Sequence, residues 1–293
     1  MIENLPKGCL PDLRDERDYQ IGLAGITAVN WDQEFKLPEP PDSDQSQADC
    51  CVGEAWSYYH WQLANKLFSV RSLFAPIALG YGARIRDGGL RLIKVGQQTQ
   101  EELPDPQIKT PKNMRAKDGI SLQESADDRE RDSFVLPNAS IDGIAWGIQN
   151  YQGVVFGVEG SNDGWKDLLN PVPPFYGQNP EWGHALYAFG FHMHNGQKCI
   201  IAKSSWCKTG VKEHHIKDNY FITGHTFNGW TLIPRKDFMV KKYLIKDGDK
   251  IGVLVAEGFT FGGGFAKDQK ALQQLKEAFE VPEDAPTVTL PNQ

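Results

Sequence analysis

The residues best suited to nucleophilic chemistry are the adjacent cysteines Cys50 and Cys51, which stand where a long helical pattern begins. A thiol at a helix start faces unpaired backbone N–H groups and the positive end of the helix dipole, and both stabilise a thiolate. The thiolate needs a partner that holds the charge and later protonates a leaving group. Histidine suits that task near neutral pH. Of the seven histidines, His184 is the most suggestive, because it follows Gly183 and opens the apolar run Ala185-Leu186-Tyr187-Ala188-Phe189. A ring there can project from a rigid strand edge into a cleft. Each residue also has a plainer reading: a buried cysteine is commonly a small hydrophobe, and a lone strand histidine commonly bonds a carbonyl.

The elements that must position these side chains are partly readable. From Val52, the residues Ala55, Trp56, Tyr59, Leu63 and Leu67 recur at helical spacing, the strongest periodic signal in the chain. A second helix is expected over 82–95 and a short one over 141–148, with strands at 154–158, 185–191, 199–202 and 219–223. Helices followed by strands predict an α+β fold whose halves differ in content. The polar, charged segment 104–133 reads as an exposed crossing between those halves. The expected organisation is an irregular arm over 1–43, with an extended piece near Val29-Asn30-Trp31, a main domain over 44–239 and an extension over 240–293. That extension reads as a ββα unit: strands at 243–245 and 251–255, a Gly262-Gly263-Gly264 hinge, and a helix over 267–279.

Composition narrows the function classes. The chain has 293 residues, 40% apolar and 24% charged, enough for a sizeable core. Its formal net charge of −7 argues against a nucleic-acid partner or an anionic membrane surface. No signal peptide and no membrane-spanning run is apparent, and the five cysteines do not form an even framework, so a reducing, cytoplasmic location is expected. Neither a metal nor another cofactor is expected. His192-Met193-His194 with Cys199 lacks a spaced fourth ligand, and Gly262-Gly263-Gly264 is not followed by the residues of a phosphate loop. His214 and His215 sit among lysines and read as solvated.

Asp44-Gln45-Ser46-Gln47-Ala48-Asp49-Cys50-Cys51-Val52-Gly53-Glu54-Ala55, Trp182-Gly183-His184-Ala185-Leu186 and Ile200-Ile201-Ala202-Lys203-Ser204-Ser205-Trp206-Cys207 follow one another in order. These blocks resemble the cysteine, histidine and asparagine segments of the papain-like cysteine peptidases. A glutamine precedes the nucleophile by six residues in that family, and 51 − 45 = 6 selects Cys51 over Cys50. The separation 184 − 51 = 133 lies inside the roughly 130–150 residues usual in papain and cathepsins. Gly8-Cys9-Leu10-Pro11-Asp12 is similar to the start of many microbial members.

The resemblance implies a two-lobed papain-like fold with a cleft between a helical lobe and a β-rich lobe, and a cysteine endopeptidase acting on peptides or unfolded protein. Cys51 would attack a carbonyl as a thiolate paired with an imidazolium at His184, giving a thioester that water hydrolyses. Gln45 and the Cys51 amide would donate to the oxyanion. Ser204 falls where the family carries the asparagine that orients the histidine, and Trp206 is the aromatic that covers that contact. Several positions depart from the pattern. Val52 replaces a tryptophan, Cys207 a glycine, and Ala48 the disulfide cysteine of secreted relatives, while Asp49 sets a carboxylate beside the nucleophile. The segment before Gln45 is too short for the long inhibitory propeptide of those relatives, so control would fall to the N-terminal arm or the tail. Ser204 and Asp49 keep two alternatives open: a non-catalytic papain-fold binding module, and an amidase or transferase using the same cysteine. Hydrolysis requires sulfur and imidazole to face one another across an accessible groove.

Overall fold

A computed structural model describes residues 8–12, 29–121, 131–135, 140–160, 165, 181–206, 213–234, 241–247, 250–257, 260–278 and 287–289. Strands β1 (Cys9–Leu10) and β2 (Phe35–Lys36) precede four helices and a short strand: α1 (Cys51–Ala64), α2 (Val70–Ile77), β3 (Ala83–Arg84), α3 (Ile85–Lys94) and α4 (Pro111–Met114). Then come β4 (Arg131–Val135), α5 (Ile141–Tyr151), β5 (Val154–Gly160), β6 (Trp182–His194), β7 (Gln197–Lys203), β8 (Glu213–Lys217), α6 (Asp218–Ile222) and β9 (Thr226–Pro234). The chain divides into two compact units, Met1–Leu232 and Ile233–Gln293.

In the larger unit, a helical lobe of α1 to α4 meets a seven-stranded sheet ordered β4-β9-β5-β6-β7-β8, with β2 on β6. This is the expected α+β architecture. Helix α1 lies between the two, against β6 on one side and α2 and α3 on the other. Every residue of α1 from Cys51 to His60 is therefore buried, rather than one stripe. Trp56 fixes the helix–helix contact: its indole N–H donates to the Ile85 carbonyl at 2.8 Å. The ring lies flush on Gly88 and Gly89, where any Cβ would collide with it. The helix ends at Asn65, whose left-handed φ of 52° turns the chain. Leu67, expected on the apolar stripe, thus lies beyond the helix and is 57% exposed.

Other expectations shift for local reasons. The extended piece predicted at Val29-Asn30-Trp31 falls later, at β2, where Phe35 stacks on Phe191. Of residues 219–223, predicted as a strand, 219–222 are helical in α6 and Thr223 is its C-cap. The segment 104–133 is not simply an exposed crossing, because Lys109 and Met114 are buried. Its acidic pair Asp127 and Asp128 lies outside the described residues, as does Cys207.

The smaller unit holds a four-stranded sheet, β12-β11-β10-β13, from β10 (Lys241–Asp247), β11 (Lys250–Glu257), β12 (Thr260–Ala266) and β13 (Thr287–Thr289), with helix α7 (Gln269–Ala278). It is βββαβ rather than ββα. Gly262-Gly263-Gly264 is no hinge: these residues pair in register with Val255, Leu254 and Val253. Ladder hydrogen bonds override the local freedom of glycine there.

Trp56→Ala removes the central ring of the helical lobe. Urea unfolding should show a loss of about 3–5 kcal/mol, the range for deleting a buried large aromatic.

Candidate active site

Cys50 is the N-cap of α1 and Cys51 its first residue. The Cys51 sulfur accepts from the backbone amides of Val52 and Ala185, and Ala185 immediately follows His184 on β6. Cys50 points elsewhere, its thiol reaching Glu54 Oε1 at 3.9 Å. The His184 Nε2 lies 3.3 Å from Ser204 Oγ, and its Nδ1 has no hydrogen-bond partner. With Nε2–H donating to Ser204, Nδ1 carries the free lone pair. Trp206 stacks on the imidazole at 3.7 Å and 16°. The Trp206 amide donates to the Ser204 hydroxyl at 3.2 Å, which occupies one of its two lone pairs and leaves the other for the imidazole N–H.

Gln45 reaches this edge of the sheet through backbone pairing. Asp44 bridges Trp206, and the Gln45 amide donates to the Ser205 carbonyl at 3.0 Å. Its side chain is fully buried and held at both ends. The Ser205 hydroxyl donates to Gln45 Oε1 at 2.6 Å, and Gln45 Nε2 donates to the Ala48 carbonyl at 2.8 Å. One of the two Nε2 hydrogens is thereby used and the other is left over. Ser205 was not singled out in the sequence, since nothing in a lone serine marks it as the clamp of an amide 160 residues away.

A further segment covers the thiol. Gly8 lies against Cys51, so close that a Cβ on it would stand 2.8 Å from the sulfur and collide with the Asp49 carbonyl. Its own carbonyl accepts from the Ala83 amide at 3.0 Å, and β1 continues as a parallel partner of β3. Its amide reaches the Gly183 carbonyl at 3.4 Å. Asp12 then ties down the far end: it accepts from the Arg86 amide at 3.2 Å and from the Trp230 indole at 2.7 Å, while its own amide donates to Asn228. Residues 8–12 therefore strap the helical lobe to the sheet across the nucleophile, and both Cys51 and His184 are fully buried.

Burial sets the electrostatics. It pushes the Cys51 thiol up to about 12, against the two amides that favour a thiolate, with the Asp49 and Glu54 carboxylates adding to the rise. Asp49 is partly neutralised by an ion pair with Arg115. Burial also holds His184 well below the ordinary imidazole range, and His214 depresses it further. Under the strap, the two groups are thus a neutral thiol and a neutral imidazole. The ion pair expected from the sequence needs water or a charged transition state to restore it. His214 corrects a second expectation: it is on β8 and buried rather than solvated, packed against Trp165 at 4.9 Å. His215 bonds His192 at 2.9 Å and Glu213 at 2.8 Å. Among the described residues, no group of three His, Cys, Asp or Glu side chains is arranged so that it could hold a metal ion.

Compared with solved structures, the chain aligns with xylellain, a cysteine protease from Xylella fastidiosa, at a TM-score of 0.59 and 18% identity over 79% of this chain and 97% of that one. The chain has a papain-like fold. Digestive procathepsin L2 from the Tenebrio molitor larval midgut aligns at 0.58 and 14% identity, covering 79% of each chain. The bromelain protease from Ananas comosus, solved in complex with the E64 inhibitor, aligns at 0.51 and 14% over 69% and 99%. No family model matches the sequence, and no curated protein does. In this papain-like fold, α1 is the helix of the helical lobe that carries Cys51, and β6 the strand of the sheet that carries His184.

His214 gives a pH test. Its folded pKa is depressed to about 3 from 6.5, so between those values the unfolded chain binds a proton that the folded chain does not. Stability is full above about 6.5 and falls on acidification, with a slope approaching about 1.4 kcal/mol per pH unit for this residue. Urea unfolding of His214→Gln should show a shallower loss between those limits than the parent chain.

Proposed function

We propose that the protein is a papain-like cysteine peptidase in which Cys51 is the nucleophile and His184 the general base and acid. The observation that carries this reading is the position of the Cys51 sulfur at the first turn of α1, taking the amide of the residue next to His184. Once the strap is lifted, His184 Nδ1 takes the thiol proton and the thiolate attacks a peptide carbonyl. The Cys51 amide and the remaining Gln45 Nε2 hydrogen donate to the oxyanion, a stabilisation of about 2.7–4 kcal/mol per good donor in related acyl transfer. His184 then protonates the departing amine, and water, deprotonated by the same imidazole, hydrolyses the thioester. Ser204 acts as the positioning residue, holding the ring through Nε2 while Trp206 shields that hydrogen bond. A serine in this role reaches less far than an amide, which reduces rate rather than abolishing it.

Residues 8–12 would act as the cover of the resting enzyme, and substrate would take the place of β1 along β3. Peptide or unfolded protein is the proposed substrate. The described thiols, Cys9, Cys50, Cys51 and Cys199, are all free, which suits a reducing compartment such as the cytoplasm. Among the described residues, no helix is long and apolar enough to cross a membrane. The complete burial of both reacting groups favours a second reading, an inert papain-fold scaffold.

One substitution separates the two. Gly8→Leu cannot seat over Cys51, so it should displace the strap and expose the sulfur. Mass spectrometry after incubation with the epoxide E64 should then find one adduct on Cys51, formed at least about tenfold faster than in the parent chain. The adduct should survive Cys50→Ala and vanish with Cys51→Ala. A Gly8→Leu chain whose Cys51 stays unmodified, with no cleavage of an unfolded protein, makes the scaffold the better description. In the Gly8→Leu background, Ser204→Ala should lower kcat with KM little changed, and Ser204→Asn should keep more activity than Ser204→Ala.

A further inference from the structure

In sequence, His192-Met193-His194 with Cys199 lacks a further ligand. The fold brings in a histidine from another strand. β7 lies between β6 and β8, and the rings of His192 and His215 meet over it from the two flanking strands. Their nitrogens, His192 Nε2 and His215 Nδ1, are 2.9 Å apart, with the ring planes at 90°. Both residues are half-buried rather than sealed from solvent.

Glu213 decides where the protons of this pair sit. His215 Nε2 meets Glu213 Oε1 at 2.8 Å, and the Lys36 ammonium meets the other carboxylate oxygen at 2.7 Å. Burial alone would raise that carboxyl, but the hydrogen bonds from His215 and Lys36 hold it down to about 2, so both oxygens accept. His215 Nε2 therefore carries a hydrogen, and the neutral ring presents a lone pair at Nδ1, to which His192 Nε2–H donates. Burial, then His215, holds His192 below the ordinary imidazole range, with His194 adding to the fall and Glu34 and Glu213 opposing it. A carboxylate on the outer ring N–H that turns the other nitrogen inward is the arrangement of metal-binding histidines. The spacing selects the ion. With imidazole bonds of about 2.0–2.1 Å, two nitrogens on one ion are about 2.9 Å apart at a right angle and about 3.4 Å apart at a tetrahedral angle. The observed separation fits the square-planar and octahedral ions Cu²⁺ and Ni²⁺ rather than tetrahedral zinc.

We infer that His192 and His215 form a two-histidine site for a divalent transition-metal ion with right-angled coordination, Ni²⁺ or Cu²⁺, with water in the remaining positions and Glu213 orienting His215. On binding, the His192 hydrogen moves through solvent from Nε2 to Nδ1, and the freed Nε2 lone pair joins that of His215 Nδ1 on the ion. The ion pins β8, the end strand of its sheet, to β6 across β7. None of the residues proposed for peptide cleavage takes part, so the site stands or falls independently of that reading.

Isothermal titration of the untagged full chain with nickel chloride near neutral pH tests it. Saturable binding of one ion per chain is expected, with a Kd below about 100 μM. His192→Asn and His215→Asn should each weaken it at least about tenfold, whereas His194→Asn should change it less than about twofold. X-ray absorption at the nickel edge, made on the parent chain and so independent of how any variant folds, should show two imidazoles and no sulfur around the ion. No saturable binding below about 1 mM overturns the inference, as does binding that survives His192→Asn or His215→Asn unchanged. Loss of binding with His194→Asn rather than His215→Asn overturns it by placing the ion on the His192-Met193-His194 segment, and sulfur beside the nickel overturns it by placing the ion on a cysteine.

Discussion

The first turn of α1 is held against the middle of β6, and the rest of the larger unit is arranged around that junction. The amide of Ala185 reaches across it to the Cys51 sulfur. Helix α1 cannot rotate or slide to break this contact without dislodging Trp56 from Ile85, Gly88 and Gly89, because the helix is buried around its whole circumference over the first ten residues. The sheet side is equally constrained. His184 is opposite Val158 on β5, and β7 delivers Ser204 to its ring. Precision at the thiol thus comes from the packing of a helix and a sheet, not from the loops that carry most of the chemistry-bearing residues.

That junction is also shielded from water, with Cys51 and His184 both fully buried. Two amides favour a thiolate, yet burial outweighs them, and the neutral imidazole beside it follows from the same loss of water. Helix-start stabilisation, read from the sequence, is therefore real but smaller than desolvation while residues 8–12 remain in place. Arg115 on Asp49 tempers the one carboxylate that the sequence flags as unfavourable. The neighbouring rings Trp165, Trp182 and Trp206, packed edge to face, keep water from the far side of the histidine.

The helix carrying the cysteine pair and the strand opening at His184 were legible because each has a periodic apolar pattern several residues long. The α+β character followed from their order. What the sequence could not show was tertiary. Residues 219–223 have the aromatic and β-branched content of a strand, yet they cap β8 as helix α6, where Tyr220 inserts beside Trp165. His214 looks solvated among lysines, but alternation along β8 turns every second side chain inward, and the buried ones are His214 and Ile216. Three consecutive glycines read as a hinge until a neighbouring strand pairs with them. The strap was visible only as a short motif near the N-terminus, since no local pattern announces that a glycine will meet a sulfur more than forty positions away. Ser204 is the reverse case: a substitution that looked like a loss keeps an oxygen within reach of the imidazole.

The parallel pairing of β1 with β3 has a consequence for anything that approaches Cys51 from solution. The occupant already there is tethered, so its local concentration is fixed by the chain and does not fall on dilution. On the proposed reading, an incoming peptide would have to outcompete a neighbour that never diffuses away. Apparent affinity at this cleft is then governed as much by how weakly the tether holds as by how well the newcomer fits.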